Sequence, residues 1–166
     1  KSTFISVISA ARPKVADYPF TTLVPNLGVV RFGEERDYVV ADIPGLVPGA
    51  HLGKGLGVKF LKHVERTSVL AHLVEISPIL EEQKPAILIK QWQAIESELK
   101  EFSQDLWEKP RITVLTKVDL LPKGAENPII KKILTAFKKA GVKDCYVVSS
   151  ATKEGVNEVV RVLGDL

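Results

Sequence analysis

Residues 112–119, ITVLTKVD, run without interruption from a short apolar segment rich in β-branched side chains into polar residues. A segment of this length and composition, bounded by turn residues, is typical of a buried strand, here residues 112–116. Three further segments share the pattern and also predict buried strands: residues 39–42, 69–76 and 145–149.

Amphipathic segments separate these strands and predict four helices: residues 57–67, 85–106, 129–140 and 155–163. Strands that alternate with helices predict an α/β fold of three layers, with a mostly parallel sheet covered by helices on both faces. Residues 28–32 and 36–40 flank a short turn and predict a hairpin, so one strand should be antiparallel. The two longest loops, residues 12–27 and 43–57, are expected to be functional because compact domains seldom contain long loops without a role.

The length and composition of the chain fit one globular domain, residues 1–166. The formal net charge is +3, which is too small to indicate nucleic-acid binding by itself. A single cysteine, Cys145, excludes a disulfide framework and favours a reducing compartment. No apolar run reaches the roughly 20 residues that span a bilayer. We expect a cytoplasmic monomer without a membrane partner. An organellar matrix stays the alternative, because a chain without methionine is expected to start further upstream, where a targeting segment would lie.

Two polar segments suggest chemistry on phosphates. Lys1-Ser2-Thr3 fits the end of a phosphate-binding loop, G-x-x-x-x-G-K-[ST], although three residues at a terminus indicate nothing alone. Asp42-Ile43-Pro44-Gly45 follows a predicted strand, where an aspartate can hold Mg²⁺ through water and a glycine amide can approach a terminal phosphate. The alternative for the second segment is a strand that ends in an ordinary Asp-Pro-Gly turn.

Two further segments suggest recognition of a base. Thr116-Lys117-Val118-Asp119 ends a predicted strand, and a buried carboxylate there would accept two hydrogen bonds from guanine but stay unpaired beside adenine. Ser149-Ser150-Ala151 follows the next strand, and small residues there let backbone amides approach a carbonyl oxygen of the base. All four polar segments lie beside strand ends, which is where open α/β sheets bind ligands.

These residues resemble the motifs of translation-factor-like P-loop GTPases, and most closely those of the Obg family. The resemblance covers essentially the whole chain. It rests on residues 17–28 (DYPFTTLVPNLG) and 42–67 (DIPGLVPGAHLGKGLGVKFLKHVERT), which look like the two switch regions of Obg proteins. It implies a guanine-nucleotide-binding domain that lacks its first strand and its phosphate-loop glycines.

The resemblance also implies a role for each site residue. Lys1, Thr22 and Gly45 would be the catalytic residues, and Ser2, Thr22 and Asp42 would hold Mg²⁺. The residues implied to bind GTP and GDP are Lys1, Ser2, Thr3, Phe20, Thr21, Thr22, Leu23, Val24, Asp42, Ile43, Pro44, Gly45, Thr116, Lys117, Val118, Asp119, Ser149, Ser150 and Ala151.

Two residues depart from the pattern of many GTPases. Thr116 stands where an asparagine is usual, so we expect weaker nucleotide affinity more than altered specificity. Leu46 follows Gly45, where many GTPases have a glutamine that orients water, and a leucine side chain cannot do this. Leu46 is usual for Obg-like proteins and implies slow hydrolysis, or help from a partner, a cation or another residue.

Other noticeable side chains are better interpreted as structural. Single histidines such as His51, His63 and His72 are more often packing or surface residues than ligands. Cys145 is expected to fill a small apolar space, and Trp92 and Trp107 to pack in the core or against a partner. Four lysines lie at helical spacing, where a solvated face is a stronger expectation than a contact with ribosomal RNA: Lys131, Lys132, Lys138 and Lys139.

The sequence therefore predicts a slow, Mg²⁺-dependent GTPase that acts as a molecular switch. The resemblance adds a role in assembly of the large ribosomal subunit or in stress control. One alternative is a nucleotide-responsive binding module with negligible catalysis, which Leu46 favours. A second is an ATPase, which Asp119 disfavours.

Overall fold

The computed structural model describes residues 1–10, 14–15, 26–33, 36–42 and 67–166. The chain divides into two compact units. The first consists of Lys1–Val69, Ile95–Lys109 and Val160–Leu166, and the second of Leu70–Ala94 and Pro110–Val159. Among the described residues, no helix is both long enough and apolar enough to cross a membrane.

The first unit contains helix α1 (Ser2–Ile8) and an antiparallel sheet of three strands in the order β1-β2-β3. Its strands are β1 (Lys14–Val15), β2 (Asn26–Phe32) and β3 (Arg36–Ala41). Side chains alternate along β2, so that Val30 and Phe32 are buried while Val29 is exposed. The turn after β2 contains Gly33 at φ +67°, a left-handed conformation that suits glycine.

The second unit contains a parallel sheet of three strands in the order β4-β5-β6. The strands are β4 (Leu70–Glu75), β5 (Arg111–Thr116) and β6 (Cys145–Val147). Strand β5 is central, and its residues 112–115 are all buried, which explains its nearly continuous apolar sequence. The register pairs Glu75 with Thr116, so β4 and β5 end at the same level.

The remaining α-helices are α2 (Ile79–Glu82), α3 (Pro85–Phe102), α4 (Gln104–Trp107), α5 (Pro128–Lys139) and α6 (Val156–Asp165). The bounds of α5 and α6 are close to the predicted ones, whereas α2 was not predicted. Helix α5 begins after Asn127, whose side chain accepts a hydrogen bond from the Ile129 amide at 3.0 Å. It ends before Gly141, at φ +95°, as the sequence predicts.

The structure corrects the expected helix 85–106. Helix α3 ends at Phe102, because Ser103 adopts an extended conformation with φ −156° and its hydroxyl oxygen accepts from the Leu106 amide. A second helix, α4, therefore starts at Gln104. Serine is a favoured N-terminal cap, so the break has a clear local cause.

The four predicted strands and the hairpin are confirmed, with ends that differ by a few residues. Strand β1 is an addition, since Lys14 and Val15 pair with β2 inside the segment predicted to be a loop. Of the predicted helix 57–67, residues 57–66 lie outside the described residues, as does the whole of the loop 43–57.

Candidate functional site

In the first unit, Lys1 and Asp42 form an ion pair at the end of strand β3. The Lys1 Nζ lies 3.5 Å from the Asp42 Oδ1. Lys1 directly precedes helix α1, and Asp42 follows β3 by one residue. The Asp42 side chain is 16% exposed and the Lys1 side chain 49%. We call these two residues the strand-end pair.

The Asp42 Oδ1 is fully buried and accepts a hydrogen bond from none of the residues that the structure describes. The ion pair with Lys1 supplies charge, but its geometry is not that of a hydrogen bond. A buried carboxylate oxygen without a hydrogen bond is costly, and a hydrated cation would satisfy it. Mg²⁺ prefers oxygen ligands and commonly uses one or two carboxylates together with substrate phosphates. Asp42 therefore fits the magnesium role that the sequence assigns to it.

In the second unit, a one-turn 3₁₀ segment, Val118–Leu120, follows strand β5 and presents Asp119. Val118 is fully buried and its amide donates to the carbonyl of Val148, which ties this turn to the end of β6. The Ser149 hydroxyl donates to the Asp119 Oδ1 at 2.6 Å, and the same oxygen of Ser149 accepts from the Thr152 amide at 3.1 Å. Ser149 is itself fully buried, so one hydroxyl fixes both the carboxylate and the loop after β6.

One expectation about Asp119 is wrong. The sequence suggests a buried carboxylate, whereas the Asp119 side chain is exposed. It lies on a turn beyond the sheet and is not covered by neighbouring side chains. A preference for one base would therefore depend on the oriented hydrogen bonds of the carboxylate rather than on its burial.

The loop after β6 folds back tightly and leaves two amides available. The Ser149 amide donates to the carbonyl of Glu154 at 3.0 Å. Gly155 closes the loop at φ +70°, where a Cβ would lie 2.0 Å from the Val147 carbonyl oxygen, so no other residue fits. Among the described residues, none accepts a hydrogen bond from the amides of Ser150 and Ala151, which agrees with their predicted use on a ligand.

Glu75 and Ser77 are functional candidates that the sequence reasoning missed. The Lys117 Nζ donates to the Glu75 Oε1 at 2.7 Å, and the Ser77 hydroxyl donates to the same oxygen at 2.7 Å. The Lys117 hydrogen bond, followed by that of Ser77, lowers the pKa of Glu75 from its ordinary value of 4.5. The available signal was an acidic residue, Glu75, near the end of the predicted strand 69–76. We call Glu75, Lys117, Asp119 and Ser149 the base-side cluster.

Thr116, where many GTPases have asparagine, directs its hydroxyl to the neighbouring strand. Its Oγ1 donates to the Val74 carbonyl at 3.4 Å, and the side chain is half-buried. This contact braces β4 against β5. The Thr116 hydroxyl is therefore used in a hydrogen bond within the sheet.

Several predicted site residues lie outside the described residues. These are the first-switch residues Phe20, Thr21, Thr22, Leu23 and Val24, and the second-switch residues Ile43, Pro44 and Gly45. Leu46, the departure from the usual glutamine, lies there too. His51 and His63 also lie there. Ser2 begins α1, but its side chain is not described, and Thr3 is exposed on the same helix.

Four of the residues interpreted as structural behave as expected: His72, Trp92, Cys145 and Trp107. The ring of His72 stacks on Trp92 at 6.2 Å, and Trp92 meets Phe137 edge-on at 6.1 Å. Cys145 packs against the apolar core of the second unit, and burial raises the pKa of its thiol to about 12. Trp107 lies beneath the Lys100 ammonium at 5.6 Å.

The model of the 50S ribosome-binding GTPase family matches residues 1–117 of this chain. The chain belongs to this GTPase family. A second model, described as ethanolamine utilisation - propanediol utilisation, matches residues 79–165.

Curated relatives named GTPase Obg are similar to nearly the whole of this chain. It is 50% identical over 163 residues to GTPase Obg of Syntrophobacter fumaroxidans, a match that covers 98% of this chain and 44% of the relative. It is also 50% identical over 169 residues to GTPase Obg of Magnetococcus marinus, covering 100% of this chain and 42% of the relative. The chain thus spans less than half the length of these relatives.

Solved structures confirm the predicted P-loop GTPase fold. The cytosolic domain of the T. maritima FeoB iron transporter in its GMPPNP form superposes with a TM-score of 0.64 at 17% identity, covering 99% of this chain and 57% of that one. Era in complex with MgGDPNP and nucleotides of 16S ribosomal RNA superposes with a TM-score of 0.63 at 22% identity, covering 99% and 51%. At such identities the likeness concerns the fold alone.

Proposed function

We propose that this chain binds GTP and GDP and hydrolyses GTP slowly to GDP and phosphate, in a protein that acts as a molecular switch. The observation that carries this proposal is the hydrogen bond from Ser149 to Asp119 beside two amides that donate to none of the described residues. Membership in a GTPase family supports it independently. The Asp119 carboxylate and the two amides, those of Ser150 and Ala151, each have a defined partner on guanine.

Base recognition follows from the donors and acceptors at the base-side cluster. The Asp119 carboxylate accepts from the ring N–H and the exocyclic amine of guanine, while the Ser150 and Ala151 amides donate to its carbonyl oxygen. Adenine offers an acceptor where Asp119 needs a donor, and lacks the carbonyl oxygen, so it would leave these groups unpaired. The aliphatic stem of Lys117 covers one face of the base, and Glu75 restrains its ammonium group.

Phosphate recognition involves the strand-end pair. Lys1 contributes a positive charge toward the phosphates, and Asp42 would hold Mg²⁺ through water, together with the hydroxyls of Ser2 and Thr22. Bound Mg²⁺ supplies charge neutralisation at the phosphate oxygens. Because Leu46 cannot orient a water molecule, turnover is slow unless another group or a partner supplies that role.

We further propose that the partner is the large ribosomal subunit, in its assembly or in stress control, and that the protein acts as a monomer in the cytoplasm. The matching family is that of 50S ribosome-binding GTPases, which supports a ribosomal partner. The rRNA complex of Era, a protein with a similar fold, is consistent with it.

The test is nucleotide competition followed by single-turnover hydrolysis with the intact protein. Unlabelled GTP should displace labelled GDP, whereas ATP at the same concentration should not. Phosphate release from GTP should be slow and should require Mg²⁺. Equal competition by ATP would contradict the base assignment. Tight GTP binding without phosphate release over hours would instead support a binding module without catalysis.

A further inference from the structure

Helix α5 carries four lysines and no acidic residue. All four lysine side chains are exposed, and at 100° per residue they fall within an arc of about 120°. The opposite face of the helix is buried in the core of the second unit. We call these four residues the α5 lysine stripe: Lys131, Lys132, Lys138 and Lys139.

The α5 lysine stripe is not neutralised by other described residues. None of them forms an ion pair with any of its four lysines, whereas Lys117 in the same unit is paired with Glu75. The stripe therefore concentrates positive charge on one surface of a chain whose formal net charge is only +3.

The stability of helix α5 explains only two of the four lysines of the stripe. The helix dipole favours cations in the last turn, which explains Lys138 and Lys139. Lys131 and Lys132 lie near the opposite end, where the dipole gives a cation no stabilisation. The first pair of lysines thus adds charge without a structural benefit to α5.

The chemistry of the surface favours one class of partner. Protein interfaces are depleted of lysine and have aromatic or apolar centres, but the stripe contains only lysines around Thr135. Helices that bind a membrane surface insert exposed apolar side chains, and the apolar residues of α5 are packed inside the unit. Interfaces with nucleic acids are polar and strongly positive, which matches the stripe.

We propose that the α5 lysine stripe binds the phosphate backbone of RNA. Lys131 and Lys138 are separated by about 10.5 Å along the helix axis, which allows them to contact different phosphates. The identity of this RNA, that of the large ribosomal subunit, rests on the proposed function. Backbone contacts of this kind position a protein without reading sequence.

The test measures binding of the intact protein to purified large ribosomal subunits, and to their protein-free RNA, between 50 and 250 mM KCl. The variant is Lys131→Gln/Lys138→Gln, and the control with the same charge change is Lys84→Gln/Lys90→Gln. Each lost phosphate contact should reduce the slope of log K against log salt by roughly 0.7 to 0.9. The stripe variant should therefore lower the slope by about 1.5 and weaken binding about tenfold or more at 100 mM salt, while the control changes neither. Affinity for GDP should be unchanged in both.

Equal losses in the two variants would overturn the proposal, because they would reflect net charge alone. So would an unchanged slope in the stripe variant, or absence of binding to both subunits and RNA. Binding to protein-free RNA but not to subunits would support the stripe and contradict the ribosomal partner. If polyglutamate displaced RNA at equal charge concentration, an acidic protein would be the better partner and the RNA proposal would be wrong.

Discussion

The carboxylates of the strand-end pair and of the base-side cluster differ in the hydrogen bonds that they accept. In the base-side cluster, Asp119 accepts from Ser149 at 2.6 Å and Glu75 accepts from Lys117 and Ser77, so each carboxylate already has a donor. In the strand-end pair, the buried Asp42 Oδ1 lacks a hydrogen bond among the described residues.

This difference separates a preorganised site from one that needs its ligand. Donors that are already in place fix the direction of a carboxylate, so binding costs little rearrangement. A buried oxygen without a donor raises the energy of the nucleotide-free protein, and a bound cation would relieve that cost. The base-side cluster should thus contribute specificity, and the strand-end pair dependence on Mg²⁺.

The largest expected effect is on the base-side cluster. Asp119→Asn exchanges an acceptor for a donor and should weaken GDP binding about 100-fold, since charge-assisted hydrogen bonds are worth about 1.5–3 kcal/mol each. The affinity of the variant for ATP should not rise to the affinity that the wild type has for GDP. Titration calorimetry with GDP and ATP measures both, and Asp144→Asn, which alters an exposed aspartate of the same unit, is the control. A loss below threefold would mean that Asp119 does not contact the base.

Asp42→Ala should have opposite effects on function and on stability. Affinity for Mg²⁺ in the nucleotide complex should fall about 10- to 100-fold, as for outer-sphere groups. The free energy of unfolding of the nucleotide-free protein should rise by about 1 kcal/mol, because a buried unsatisfied oxygen is removed. Urea unfolding with Asp37→Ala as an exposed control checks the second effect. Destabilisation by more than about 1 kcal/mol would show that the ion pair with Lys1 outweighs the cost of the unsatisfied oxygen.

Ser149→Ala tests whether preorganisation matters. It removes a buried hydroxyl that holds both Asp119 and the Thr152 amide, so unfolding free energy should fall by about 1–3 kcal/mol. GDP affinity should fall about five- to tenfold, because the Asp119 charge remains but loses its orientation. Thr135→Ala, which removes an exposed hydroxyl, is the control. Unchanged GDP affinity in a folded Ser149→Ala variant would argue that Asp119 needs no support.

The sequence predicted the positions of most site residues, because strands with strong apolar runs end where these residues begin. Residues 112–116 and 145–147 are strands, and the motifs after them occupy the predicted turns. The break at Ser103 was missed because the apolar periodicity continues across it, while the serine cap acts only through local hydrogen bonds.

The partners of each site residue were less predictable. The exposure of Asp119 depends on the 3₁₀ turn that carries it, and a sequence pattern does not specify that geometry. The contact between Glu75 and Lys117 depends on the register of β4 and β5, which pairs Glu75 with Thr116. Register is a tertiary property, so the residue types alone indicated Lys117 but not its partner Glu75.

The smallest expected effect concerns that anchor. Glu75→Gln should weaken GDP binding about two- to fivefold at low salt, since both side chains are about half exposed and such ion pairs contribute only 0.2–1 kcal/mol.

The pKa of Glu75 is lowered in the folded protein, chiefly by the Lys117 hydrogen bond. Its contribution to stability is therefore complete above the unfolded value of about 4.5 and is lost as pH falls through the lower folded pKa. The difference in unfolding free energy between wild type and Glu75→Gln should shrink over that acidic range, while Glu81→Gln, an exposed control, shows no such trend. A difference that persists at the acidic end would assign the effect to packing rather than to charge. The base-side cluster would then be held without its ion pair.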